Sequence, residues 1–191
     1  MPAPPPVPVH VDSESGHWSV DGVPMILVPQ HMLINNLTAA EDRLGTPGSA
    51  GLIRPAGYRS AQQWCTQQRR YHGLAPDTVV EHYLEQLGRR GWGRFRIEQG
   101  DPAEGPLHVT LHHSALAHRT LTGGHGACYM FAAWLEGAFD FAAEEAGRDE
   151  RFEFLEVHCR ANGAEHCAFR GTPAVPGRSA SSPLQASDDR R

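Results

Sequence analysis

Glu156-Val157-His158-Cys159-Arg160-Ala161-Asn162-Gly163-Ala164-Glu165-His166-Cys167 reads as two short strands joined at Asn162-Gly163. Asn and Gly accept the positive φ that tight hairpin turns require. Each strand brings one cysteine, and a hairpin folds two such thiols towards each other. Glu156, His158, Glu165 and His166 add oxygen and nitrogen donors. With one more thiol from elsewhere in the chain, a closed four-ligand zinc site becomes possible.

The natural source of that thiol lies upstream. Cys128, Phe131, Leu135, Phe139 and Ala142 recur at spacings of three and four, which predicts a long helix from about Gly126 to Ala146. Cys128 then falls on the buried stripe, and Glu136, Asp140, Glu144 and Glu145 mark the wet side. The fourth donor is Glu156 or one of the two histidines, His158 and His166. Alternation along an ideal strand turns Glu156 away from Cys159. A carboxylate ligand therefore requires a bulge, or the strand to end there. A plainer reading of the same residues makes Cys128 a small buried hydrophobe and the hairpin cysteines ordinary strand residues.

The rest of the chain supplies the body. Residues 1–11 open with a proline-rich run and are expected to form a disordered arm. Asp21-Gly22 between short apolar runs predicts a hairpin within His17 to Leu27. Met32, Leu33, Leu37, Ala40 and Leu44 have helical spacing, with Gly45 as a stop. A second helix is predicted from Gly57 to His72. Thr78 and Glu81 have capping-box spacing for a third, whose apolar face is Val79, Val80, Tyr83, Leu84 and Leu87. Arg94 to Glu98 alternates, turning Phe95 and Ile97 to a core. In the next strand Leu107, Val109, Leu111 and His113 share the inward face, opposite His108, Thr110 and His112. From Gly171 the composition turns to Pro, Ser, Ala and Asp, so residues 173–191 are expected as a disordered tail. The order predicts one α+β domain over residues 12–172. Its antiparallel sheet packs with helices, and the C-terminal hairpin carries the metal site.

Bulk properties narrow the function classes. Across 191 residues, 17 basic side chains face 22 acidic ones, a formal charge of −5. No broad basic surface is expected, so nucleic acid is not a direct partner. No run of about 18 apolar residues exists to span a membrane. The N-terminus lacks the charged and apolar regions of a signal peptide. The cytoplasm is the expected location, where four cysteines read as metal ligands or free thiols rather than disulfides.

Glu156-x-x-Cys159, seven residues, then Cys167-Ala168-Phe169, with a cysteine opening the preceding helix, resembles the 4-vinyl reductase domain family. That family includes the small-molecule sensor domain of phenol- and xylene-responsive transcription activators and a bacteriochlorophyll-biosynthesis protein. The resemblance implies that Cys128, Glu156, Cys159 and Cys167 hold a structural zinc. Three thiolates and a carboxylate leave no open position for water, so Lewis-acid catalysis is not implied. It also implies an apolar pocket for a small aromatic molecule between helix and sheet, near His82, Tyr83, Leu111 and His113, with Phe95 and Trp134 as further candidates. Dimers are implied as well.

The leading expectation is thus a stand-alone, non-enzymatic sensor or carrier that binds a small hydrophobic or aromatic ligand. It has no Gly-x-x-x-x-Gly-Lys-Ser/Thr phosphate loop, so output is expected through a separate protein partner. An enzyme, or an accessory subunit acting on a tetrapyrrole or other small substrate, is the alternative. No Gly-x-Gly-x-x-Gly fingerprint follows a strand to hold a hydride donor. A protein-interaction scaffold is a third reading. The run His108, His112, His113, His118 and His125 could supply a second metal site. Because its members divide between two strand faces, a solvated polar edge is the expected reading.

Overall fold

The computed structural model describes residues 7–117 and 128–174. His118, His125, Gly126, the first six residues and the tail from 175 lie outside the described residues. Three short strands come first: β1 (Val9–Val11), β2 (Trp18–Val20) and β3 (Val23–Met25), antiparallel in the order β1-β2-β3. Asp21 and Gly22 both take positive φ, 49° and 74°, which is the two-residue hairpin turn expected from an Asp-Gly pair. Val9 pairs with Val20 and Val11 with Trp18. Val9, His10 and Val11, expected within the disordered arm, therefore lie in a strand, because β-branched residues there complete a ladder.

Two predicted helices form one long element, α1 (Gln30–His72), broken at Gly45 (φ 69°, ψ 164°). Gly45 is the stop that its lack of a Cβ permits. The chain turns helical again at once, through Pro47, whose fixed φ suits a helix's first turn. The second segment thus begins about ten residues earlier than Gly57. Then follow α2 (Val79–Arg89), β4 (Arg94–Gln99), β5 (Leu107–His112), α3 (Tyr129–Glu145), β6 (Phe152–His158) and β7 (Cys167–Pro173). Thr78 precedes α2, but its side chain makes no cap. Its hydroxyl donates instead to the Ala75 carbonyl at 3.0 Å.

The second sheet is four-stranded and antiparallel in the order β4-β5-β7-β6. Leu107, Val109, Leu111, Cys167, Phe169, Phe152 and Phe154 line its inner face. They form one continuous core with Phe131, Leu135 and Phe139 of α3 and with Val80, Leu84 and Leu87 of α2. α3 lies between α1 and β6. A Cβ added at Gly137 would stand 2.4 Å from the Tyr58 carbonyl oxygen, so only glycine lets α1 and α3 approach this closely.

The predicted wet side of α3 is half wrong. Glu144 and Glu145 are exposed, but Glu136 and Asp140 are buried at 4% and 3% exposure. β6 is a sheet edge, and its outward amides need acceptors. Glu136 Oε1 accepts the Phe154 N–H at 2.9 Å, and Asp140 Oδ1 accepts that of Phe152 at 2.8 Å. Arg54 pairs with Glu136, and the Tyr58 hydroxyl donates to Asp140 at 3.0 Å.

Candidate functional site

Glu156 and Cys159 come to one place because β6 breaks its alternation. Glu156 stands opposite Phe169, but His158 stands opposite Ala168, so Val157 is the extra residue of a bulge. The strand stops at His158. Cys159 then leads into a single 3₁₀ turn, Arg160–Asn162, closed by Gly163 at φ 91°. The Cys159 carbonyl accepts the N–H groups of Asn162 (3.0 Å) and Ala164 (3.3 Å). The connection is longer than the two-residue hairpin expected at Asn162-Gly163. Cys167 opens β7 opposite Leu111, and Cys128 caps the start of α3.

One ligand atom each from Cys128, Glu156, Cys159 and Cys167 lies within 4.8 Å of all the others. The Sγ atoms of Cys128 and Cys167 are 3.5 Å apart, and those of Cys167 and Cys159 are 3.9 Å apart. Thiolates bound tetrahedrally at about 2.3 Å would be roughly 3.8 Å from one another, so the spacing suits one ion. All three cysteines are buried. The surrounding groups suit an anionic cluster. The Arg160 N–H points at Cys167 Sγ (3.4 Å), Ser114 Oγ lies 3.1 Å from Cys128 Sγ, and the Cys128 N–H donates to Glu156 Oε2 at 3.0 Å. The positive end of α3 adds to this field.

Without a cation these donors are frustrated. Burial pushes the Glu156 carboxyl up to about 9, with the Cys159 thiol adding to the rise. Hydrogen bonds with Cys159 and Cys167 raise the Cys128 thiol far above its usual range, and those with Cys128 and Cys159 hold Cys167 down at about 4. Among the described residues the buried Glu156 Oε1 has no hydrogen-bond partner, and a buried oxygen of this kind calls for one. A borderline divalent ion fits that donor set and that orphaned oxygen. His158 is exposed, and His166 stacks on His112. Neither histidine joins the cluster.

The residues predicted to line a ligand pocket are divided. His113 does not turn inward. β5 ends at His112, and His113 takes φ 56° and is exposed, because the strand turns sharply there to bury Ser114. A cleft of about 680 Å³ between α2 and β4 is lined by Leu84, Phe95, Ile97 and His113 among others. Leu111 is fully buried beneath Gly93, and Tyr83 is buried at 3% exposure. His82 is half-buried, with Nε2 2.8 Å from Gln68 Oε1, and burial lowers its pKa. Phe95 and Trp134 both meet Phe131 edge-on, at 5.4 and 5.2 Å, and Trp92 meets Trp134 at 4.9 Å. That aromatic wall brings Phe95 and Trp134 together through Phe131. Ser114 beside Cys128 and the link from Tyr129 to Glu41 (2.9 Å) and Ser49 (3.0 Å) left no signal in spacing or periodicity.

The fold is that of several solved structures. The phenol-responsive sensory domain of the transcription activator PoxR, crystallised with phenol, superposes with a TM-score of 0.67 at 20% identity, over 86% of this chain and 84% of that one. A vinyl-4-reductase family protein from Methanocaldococcus jannaschii gives 0.52 at 13% identity, over 79% and 85%. Trafficking protein particle complex subunit 3 from Naegleria fowleri, covalently bound to palmitic acid, gives 0.53 at 8% identity, over 76% and 95%. The fold is therefore 4-vinyl-reductase-like. No curated protein sequence matches the chain. Residues 3–98, half of the chain, match the domain of unknown function DUF5943, and the chain belongs to that family.

Proposed function

We propose that this chain is a non-enzymatic small-molecule-binding module, a sensor or carrier, whose C-terminal half is held by a structural zinc on Cys128, Glu156, Cys159 and Cys167. The observation that carries it is the convergence of three buried thiols and a half-buried carboxylate within 4.8 Å in the fold of a phenol-responsive sensory domain. Three thiolates and a carboxylate close the coordination shell, so the ion's role is to tie elements together.

The working unit is residues 12–172, and its ligand is small and hydrophobic or aromatic. Phe95 and Trp134, joined by Phe131, supply the flat apolar contacts such a ligand needs. His82, Tyr83, Leu111 and His113 complete the proposed set, and His113 offers an exposed imidazole at the cleft. Ile26 and Leu27 are 82% and 79% exposed, and Met32 nearby is 49% exposed. Such apolar exposure favours a homodimer. Signal output passes to a separate protein in the cytoplasm.

The test is metal analysis of untagged protein purified without chelator, followed by melting against a panel of small aromatic molecules that includes phenol. One zinc per chain, absent from Cys128→Ser and Cys167→Ser, and a rise in melting temperature with one chemical class are expected. Folded protein without metal overturns the zinc assignment. Metal without any ligand shift overturns the sensor assignment and leaves a scaffold.

A further inference from the structure

The outer face of the four-stranded sheet carries a histidine pair that the cysteine cluster does not use. Leu111 of β5 lies opposite Cys167 of β7, and both are buried in the core. His112, the next residue of β5, therefore projects from the opposite face, and the ring of His166, which immediately precedes Cys167, lies against it. Their rings lie 4.8 Å apart, centre to centre, and 29° from parallel. Both are half-buried, and among the described residues neither ring has a hydrogen-bond or ion-pair partner. His166 Nδ1 is buried without one. On the same face, His108 stands opposite Arg170, and His158 stands opposite Ala168, two residues from His166.

Two unpartnered imidazoles, one at the end of β5 and one just before β7, are suited to chelation. An ion bound to a ring nitrogen at about 2.05 Å sits roughly 3.2 Å from the ring centre, so centres 4.8 Å apart subtend about 97° at the ion. That angle falls between the square and the tetrahedral values. The β5–β7 ladder fixes Leu111 opposite Cys167, one residue from each histidine, so rotation about side-chain bonds is enough to aim the nitrogens. Nitrogen-only donors of this kind favour divalent copper or nickel, with water filling the remaining positions.

We propose that His112 and His166 form a second, solvent-facing site for a divalent transition ion of the copper or nickel type, on the sheet face opposite the cysteine cluster. This site does not depend on the zinc assignment.

The experiment is calorimetric titration of full-length, untagged protein with Ni²⁺, which does not oxidise thiols as Cu²⁺ does. Zinc content is measured before and after, and imidazole NMR signals are followed in parallel. One Ni²⁺ per chain is expected, with no zinc released and with broadening at His112 and His166. His112→Ala should weaken binding at least tenfold, and His10→Ala, on β1 of the other sheet, less than twofold. Because His166 adjoins Cys167, the conservative His112→Asn variant repeats the test without touching that strand. Unchanged Ni²⁺ affinity in His112→Ala and His112→Asn, or nickel uptake matched by zinc loss, would overturn the proposal.

Discussion

Glu156 and Cys159 share a face only because Val157 is an extra residue in the ladder between them. Alternation alone would keep Glu156 inward with Phe152 and Phe154 and send Cys159 to the other face, and nothing in the composition of Glu156-Val157-His158 announces a bulge. The cysteines were legible for a different reason. Cys128 falls on an apolar stripe, and Cys159 and Cys167 flank a Gly-containing turn, so local pattern and chemistry agree. His113 is the opposite case. It continues the alternation of β5, yet it takes φ 56°, because the strand turns there and sends Ser114 to Cys128. A left-handed backbone is tolerable for histidine and costly for a β-branched residue. His113→Gly is therefore expected to leave stability within about 0.5 kcal/mol, whereas His113→Val lowers it by about 1–2 kcal/mol. Urea denaturation of the two variants checks this. Equal losses would mean that the histidine ring, and not its backbone, is what the fold needs.

At the scale of elements, α3 decides the architecture, since α1 and β6 pack against it. Its periodicity was legible, but the destination of its charges was not. A carboxylate on a helix ordinarily marks solvent, and only the sheet order reveals that β6 is an edge whose amides Glu136 and Asp140 must satisfy. Burial raises the Glu136 carboxyl to about 7 despite Arg54 beside it, and burial also raises Asp140. A carboxyl with a raised folded pKa binds its proton more tightly folded than unfolded. Its contribution is fully present below the unfolded value of about 4.5 and is lost as pH rises through about 7. Wild-type stability relative to Glu136→Gln should therefore fall by roughly 1–3 kcal/mol between those pH values. Denaturation curves of both proteins across that range give the sign directly, and a rise would contradict it. On the same helix, Gly137→Ala forces a methyl against the Tyr58 carbonyl at 2.4 Å. It should cost about 2–3 kcal/mol by driving α1 and α3 apart, a larger loss than at the open Gly51, which has nothing within 4 Å.

For the whole molecule, the question is what the four donors join. Cys128 belongs to the start of α3, Glu156 to β6, Cys159 to the turn and Cys167 to β7. An ion there would lock the end of the β6–β7 pair to the helix that covers it. Among the described residues the α1–α3 interface, α2 and the β4–β5 hairpin contribute no donor, and they are held by the apolar core together with the Arg54–Glu136 and Tyr58–Asp140 pairs between α1 and α3. Zinc is thus expected to hold one corner of a core that persists without it, unlike a zinc finger, in which metal and fold are inseparable. Removing it with a chelator should lower the melting temperature. It should abolish hydrogen-exchange protection around Phe131 and from Glu156 to Cys167, while amides near Gly137 and in β4 stay protected. Uniform loss of protection would mean that the sheet and helices depend on the ion for their existence. Unchanged protection at the corner would mean that three thiols and a buried carboxyl are held together by packing alone. The orphaned Glu156 oxygen makes that second outcome costly for the fold, so the corner should open first.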